Sequence, residues 1–398
     1  MKLRRLLPRV GLSLAILAAI DQVALYTLLR DDRFLQRAAA PFDPPVFSPS
    51  QAATLARIRA HVEDGEGSPA DFRFDAELGW CNPRNGGFGD FAYDWAGCRI
   101  AAGPLAREKT PGVRRVVTLG CSMTHGEEVG PTETWCAVLD ASRADVEVAN
   151  LGVAAYGLDQ ALLRWRRDGV PLAGDEVWLG WLPEAALRAI NLYRPALRHW
   201  SLEVCFKPRF VLGEDGGLVL VPNPAQNLAD IVRLCDSQAE FLAALGGHDP
   251  WVARAPAAYA PRGSRLSHHS FVGRILLSVH EAGGRDLARR LGGPGEEAYR
   301  ILRAIVLTTA REAGEHGARF RLLILPCRTD LERRDAAGRA AWEPLCADLA
   351  AAGVEILDLT GPLDASGLSR ADLFAPQGHY SAAGNRVVAE ALAAAIDR

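Results

Sequence analysis

Lysine is nearly missing from this chain of 398 residues, where Lys2, Lys109 and Lys207 are the only three. Basic residues total 45 against 48 acidic ones, and the net charge of −3 is spread along the chain. There is no basic stripe that would neutralise a phosphate backbone, which excludes nucleic acid as a partner. The eight cysteines (Cys81, Cys98, Cys121, Cys136, Cys205, Cys235, Cys327 and Cys346) form no CxxC pair, so zinc-ribbon and thioredoxin-like chemistry is excluded. An even count allows a disulfide in an exported protein, but Cys327, at the end of an apolar Leu-Leu-Ile-Leu-Pro run, reads as a small buried hydrophobe. His268 and His269 are adjacent, have no carboxylate or cysteine cluster beside them, and read as ordinary histidines. No metal and no organic cofactor is expected, and the chain has no internal repeat. At 49% apolar and 23% charged, the composition is that of an ordinary globular protein long enough for one large domain or two average ones.

The N-terminus carries an address. Lys2, Arg4, Arg5 and Arg9 precede an apolar stretch from Val10 to Leu29, and twenty helical residues span roughly 30 Å, the thickness of a hydrocarbon core. Basic residues ahead of the stretch keep the N-terminus in the cytoplasm and place the rest in the periplasm or outside. Asp21 counts against a span, since a central carboxylate costs about 2.5 to 3.5 kcal/mol on insertion scales. A cleaved signal ending near Ala38-Ala39-Ala40 and a buried amphipathic helix are the other two readings. A single-pass anchor over 1–30 is the leading one, followed by a linker and loop-rich lead-in over 31–110.

From Arg114 onward the chain alternates. Short apolar runs at Arg115–Leu119, Val146–Leu151, Glu176–Leu182, Arg321–Leu325 and Glu355–Leu359 read as five buried parallel strands. Helical patterns fall between and after them, at Thr132–Leu139, Leu158–Arg167, Glu296–Ala313, Ala337–Ala350 and Ala382–Ile396. In the third of these, Ala298, Leu302, Ile305, Val306 and Thr309 share one face. The alternation predicts a doubly wound α/β domain over 111–398. A large insertion of about 190–294 follows the third strand and contains a hairpin, Arg209–Leu212 with Leu218–Val221.

Three segments carry chemistry. The first strand ends in Gly120-Cys121-Ser122-Met123-Thr124-His125-Gly126, which puts a serine at the carboxyl edge of the sheet where a helix opens. Free N–H groups at such a helix start suit a developing oxyanion. The second strand ends in Asn150-Leu151-Gly152-Val153, where a glycine lets the backbone approach closely and offers an N–H. Near the C-terminus, Gly378-His379-Tyr380-Ser381 follows the fifth strand, and a histidine is the natural base for a serine. Ser122 is the candidate nucleophile, His379 the candidate base, and the N–H groups of Ser122 and Gly152 the candidate oxyanion donors. Cys121 is expected to point into the sheet.

Together these segments resemble the nucleophile, glycine and histidine blocks of the SGNH (GDSL) hydrolases. Leu78-Gly79-Trp80, Gly97-Cys98-Arg99 and Lys207-Pro208-Arg209-Phe210 resemble pieces of a membrane-anchored bacterial subgroup. The resemblance implies a three-layer αβα flavodoxin-like fold and chemistry on ester-linked acyl groups. The chain departs from the pattern in three places. Cys121 replaces the aspartate before the nucleophile. No asparagine follows the third strand until Asn191. Pro376-Gln377-Gly378 stands where an aspartate would precede the histidine, which leaves Gln377 or Asp372 to orient the imidazole. Two functions are therefore expected: a serine esterase or O-acyltransferase acting on a small-molecule or carbohydrate ester, or a degenerate relative that binds a glycan or assembly partner without turnover.

Overall fold

A computed structural model describes residues 2–30, 49–65, 73–197, 205–254 and 286–397, with four further positions between 270 and 276. His268, His269 and Ala38–Ala40 lie outside the described residues. The chain forms two compact units, one of Met1–Gly67, Asn191–Phe206 and Pro224–Asp286, the other of Ser68–Ile190, Lys207–Asn223 and Leu287–Arg398.

In the first unit, α1 (Lys2–Arg30) and α2 (Pro49–Asp64) come from the N-terminal segment. Asp21 accepts hydrogen bonds from Ser270 Oγ (2.8 Å) and the Val272 N–H (3.1 Å). Among the described residues no helix is long and apolar enough to cross a membrane. Arg59 of α2 grips Asp236 through both Nη atoms (2.9 and 2.7 Å).

The second unit opens with two small antiparallel ribbons. The first pairs β1 (Phe74–Asp75) with β2 (Gly79–Trp80), the second β3 (Gly86–Phe88) with β4 (Phe91–Tyr93). Trp80 Nε1 donates to Ala154 O (2.9 Å) and Asn82 Nδ2 to Gly152 O (2.9 Å), which ties the lead-in to the loop after Asn150. The alternating region then gives β5 (Arg114–Leu119), α3 (Ser122–His125), α4 (Trp135–Ser142), β6 (Val146–Asn150), α5 (Leu158–Arg164) and β7 (Glu176–Trp181). The hairpin β8 (Arg209–Leu212) and β9 (Leu218–Val221) follows, at the bounds expected. It counts with the sheet, not with the rest of the insertion. Lys207, fully buried, ties it there by donating to the Asp159 carboxylate of α5. The chain ends with α6 (Glu297–Glu315), β10 (Arg319–Ile324), α7 (Arg328–Ala337), α8 (Glu343–Ala351), β11 (Ile356–Asp358), α9 (Arg370–Leu373) and α10 (Ala382–Ala395).

The five parallel strands lie in the order β11-β10-β7-β5-β6. Numbered by their sequence this is 5-4-3-1-2, so the winding direction reverses between β5 and β7. In open α/β sheets the crevice at that reversal is where ligands bind. β7, flanked on both sides, is buried at all six positions, as a central parallel strand should be. α4 packs on β6 and against α10, while α6 packs on β10 and against α5. The apolar stripe read for α6, Ala298, Leu302, Ile305, Val306 and Thr309, is its buried face. The sheet and its helices fit the α/β flavodoxin-like expectation. All eight cysteines are free thiols.

A charged cluster lies inside this sheet. Arg321 of β10 is fully buried and donates to Glu176 Oε2 (2.7 Å) and Glu355 Oε1 (2.6 Å). Trp178 Nε1 also donates to Glu176 Oε2 (2.7 Å). Removing one member of a buried ion pair strands the other's charge. Arg321→Met should therefore cost about 3 kcal/mol in urea unfolding, at the low end because Arg114 still reaches Glu176 (3.3 Å). Arg321→Met with Glu176→Met should recover most of that loss; a double variant as unstable as the single one would contradict the charge argument.

Candidate functional site

Ser122 is the first residue of α3, a single turn directly past the carboxyl end of β5. Cys121 is its N-cap residue, and the Cys121 carbonyl accepts from the N–H groups of Thr124 (3.0 Å) and His125 (2.9 Å). The turn ends at once because Gly126 takes a left-handed conformation (φ 87°) and returns its N–H to Ser122 O (2.8 Å). Ser122 is 7% exposed. Its own N–H belongs to the first turn, which has no intrahelical partner to offer it. Beside it, the ends of β5 and β7 leave a narrow cleft lined by Gly120, Cys121, Tyr156, Gly180, Trp181 and Ala185. This cleft is the crevice at the point where the strand order reverses. Cys121 is buried.

His379 stands in the loop before α10, whose N-cap Ser381 accepts from Gly384 N (3.1 Å). The imidazole is oriented by neither residue suggested by the sequence. Asp372 is the third residue of α9, where its carboxylate accepts from Ser369 Oγ (2.6 Å) in a capping box. Gln377 contributes its backbone N–H, not its side chain, to the arrangement. The partner is Glu128, whose Oε2 lies 2.7 Å from His379 Nδ1. The same carboxylate accepts the N–H of Gln377 (2.9 Å, on Oε1) and of His379 itself (3.3 Å). With Nδ1–H donating to Glu128, Nε2 is left as the acceptor, the tautomer a general base needs. His379 and Glu128 keep 21% and 14% of their side-chain surfaces exposed. Glu128 holds a left-handed backbone (φ 66°), which for a residue with a Cβ costs about 1–2 kcal/mol. Such strain survives where the surroundings enforce it, and it concentrates at functional sites.

A second histidine–carboxylate pair lies nearby. His125 is 1% exposed, with Glu127 Oε1 at 3.0 Å from Nδ1 and the Tyr93 hydroxyl at 3.0 Å from Nε2. Burial lowers its pKa, and burial also pushes the Tyr93 phenol up to about 12. The ring is enclosed, with Nε2 at the Tyr93 hydroxyl and Nδ1 facing the Glu127 carboxylate, so His125 is not placed as a rival base.

The expected role of Gly152 needs correction. Its N–H donates to Asn150 Oδ1 (3.0 Å) and is not left over for an oxyanion. Glycine is required there for steric reasons, because a Cβ would meet His125 N at 2.4 Å. Further along the same loop, Ala155 takes the left-handed conformation (φ 64°). Asn191 offers no replacement donor: it is fully buried and gives its amide to Tyr193 O (2.7 Å). Sequence reasoning missed Glu128. The available signal was its place six residues after the serine and two after Gly126.

No family model matches the chain, and no curated protein matches it. Among solved structures the chain is similar to a member of the lipolytic protein G-D-S-L family from Veillonella parvula (13% identity, 72% of this chain and 100% of that one, TM-score 0.33). It is similar also to an acetylxylan esterase from Geobacillus stearothermophilus (12%, 72% and 94%, TM-score 0.37). A third such structure is the lipase/acylhydrolase from Enterococcus faecalis (14%, 71% and 95%, TM-score 0.35). Likeness at this level leaves the chain without a family assignment, and its chemistry has to be read from its own residues.

The same sheet edge holds a buried carboxyl with a pH signature. Asp330, in the first turn of α7, accepts from Cys327 N (3.2 Å) and Glu184 N (3.3 Å), and burial above all raises its pKa to about 6. A carboxyl that holds its proton more tightly when folded stabilises the fold at low pH and loses that contribution as pH rises through 6. Compared with Asp330→Asn, the wild-type chain should gain about 2 kcal/mol between pH 7 and pH 4 in urea unfolding. A difference that stays flat over that range would mean Asp330 ionises normally.

Proposed function

We propose that the chain is an ester-cleaving serine hydrolase in which Ser122 is the nucleophile, His379 the general base and Glu128 the carboxylate that orients it. The observation that carries this reading is the 2.7 Å contact between Glu128 Oε2 and His379 Nδ1. It supplies the group that the sequence lacked before the histidine, and it stabilises the imidazolium that forms when the base takes a proton. Ser122 Oγ attacks the acyl carbon as its proton passes to His379 Nε2, and the carbonyl oxygen becomes an oxyanion beside the Ser122 N–H. His379 then protonates the departing alkoxide, leaving an acyl-Ser122. Water or a sugar hydroxyl, deprotonated by His379, takes the acyl group and regenerates the serine. The substrate class we favour is an acylated carbohydrate, in keeping with a catalytic domain outside the membrane.

One observation favours the second reading, a binding protein without turnover. The Gly152 N–H is spent on Asn150, and β7 is followed by Pro183 and Glu184 instead of an asparagine. Each missing oxyanion donor costs roughly 10²–10³ in rate. Activity decides between the two. The full-length chain should cleave a short-chain activated acetate, and Ser122→Ala should reduce the rate to background. Glu128→Gln should lower kcat by about 10²–10⁴ with KM nearly unchanged, the upper figure being the loss when the orienting carboxylate of a serine protease is replaced by its amide. Equal rates from wild type and Ser122→Ala would leave the binding reading.

The basic residues Lys2, Arg4, Arg5 and Arg9, ahead of the apolar stretch of α1, support a membrane tether as part of the same proposal. An alkaline carbonate wash of membranes from producing cells should leave the chain in the pellet. Release into the supernatant would count against a spanning segment.

A further inference from the structure

Glu128 occupies a backbone conformation that disfavours any residue with a side chain. Something must hold the segment after α3 in that shape, and it is not a strand. The carbonyls of His125, Gly126 and Val129, which bracket Glu127 and Glu128, converge on one side chain. Arg99 Nη1 donates to His125 O (2.9 Å) and to Gly126 O, and Arg99 Nη2 donates to Val129 O (2.8 Å). Arg99 is itself fixed on three sides. Its backbone N–H donates to Asn150 O at the end of β6 (3.0 Å), its guanidinium lies 4.6 Å from the centre of the Phe91 ring, and it is 7% exposed. Phe91 in turn packs edge-on against His125 (4.8 Å between centroids).

We propose that Arg99 is a positioning residue for the hydrolytic site: by clasping the carbonyls on both sides of Glu128 it keeps that residue left-handed and its carboxylate on His379. The role follows from guanidinium geometry. A planar fork with two Nη groups reaches three carbonyls at once, whereas a lysine ammonium is a point charge on a flexible stem that can follow only one part of the loop. The His125 and Gly126 carbonyls are buried acceptors and that of Val129 is part-buried, so their pairing also removes a cost that would otherwise favour opening the loop.

This inference rests on the hydrolase reading for its consequence but not for its test. In the full-length chain the Nδ1–H proton of His379, held by Glu128, should give a slowly exchanging low-field proton resonance that disappears in Glu128→Gln. Arg99→Lys should broaden or abolish that resonance and lower kcat/KM at least ten-fold. In a Glu128→Gln background the same substitution should lower kcat/KM by less than two-fold, because the group it positions is already gone. Arg99→Gln provides the same comparison if Arg99→Lys does not fold. Arg99 also lines a cavity of about 180 Å³ with Asp94, Leu105, Thr134 and Asp140, so millimolar guanidinium should restore part of the resonance to the shortened variant. A resonance unchanged in the Arg99 variants, or an equal loss of activity in both backgrounds, would overturn the proposal and leave Arg99 as fold support. Absence of any Ser122-dependent turnover would sink the hydrolase reading alone, since the resonance still decides the clasp.

Discussion

Thr124 fits between the ends of β5 and β7 because neither neighbouring strand carries a side chain at the point of contact. A Cβ on Gly120 would lie 2.4 Å from Thr124 Oγ1, and one on Gly180 only 2.3 Å from it. On the other side a Cβ on Gly152 would lie 2.4 Å from His125 N. Three glycines from three neighbouring strand ends therefore let one short turn settle onto the sheet edge. Gly120 adds a backbone requirement, since its φ of +148° is one that residues with side chains rarely adopt. A helix of four residues has little stability of its own. Asn150 supplements the wedge by donating its amide to Thr124 O (2.9 Å) while accepting from Gly152 N. Ser122, the Glu128 segment and the cleft all take their positions from this packing.

The loop after that turn carries two glutamates in succession, and each meets a different histidine. Glu127 faces His125, whose ring is buried against Tyr93 and Phe91 and whose pKa burial lowers, while the Glu127 carboxylate itself keeps 23% of its side-chain surface exposed. Glu128 faces His379 at a partly open position. The two imidazoles differ, His125 being 1% exposed and His379 21%. Of the two, His379 has the exposure that proton transfer to a substrate requires.

Much of this architecture was legible locally. Buried parallel strands announce themselves as short apolar runs, and the hairpin around Glu214-Asp215-Gly216-Gly217 has the bounds its turn residues imply. The stripe on α6 is buried as its 3.6-residue period requires. What escaped was non-local. Glu128 and His379 are separated by 251 positions, and no local pattern links them. Asp372 attracted attention by its closeness in sequence to His379, yet Ser369 sits three residues before it, the spacing of a capping box, and a cap is what it forms. Gly152 was given an electrostatic role because glycines at strand ends often expose an N–H. The steric role came from a contact with α3 that only the packed structure reveals.

Placing the carboxylate on the loop that follows Ser122, the proposed nucleophile, changes how the site is held together. A carboxylate just before a histidine fixes the imidazole relative to its own loop, and the loop must then be docked by other means. Glu128 accepts from Nδ1 and also from the backbone N–H groups of Gln377 and His379, so one side chain both orients the ring and docks the histidine loop onto the segment following Ser122. The longer glutamate stem suits that reach between loops. The cost is a left-handed backbone at Glu128, about 1–2 kcal/mol, which three charge-assisted hydrogen bonds at roughly 1.5–3 kcal/mol each outweigh. On the proposed reading the base is therefore well supported, while oxyanion stabilisation is thin, with Gly152 committed to Asn150 and Leu182, Pro183 and Glu184 following β7. A site of that balance suits esters, whose alkoxide leaves with the help of a proton, better than amides, whose tetrahedral intermediate depends more heavily on a complete oxyanion hole.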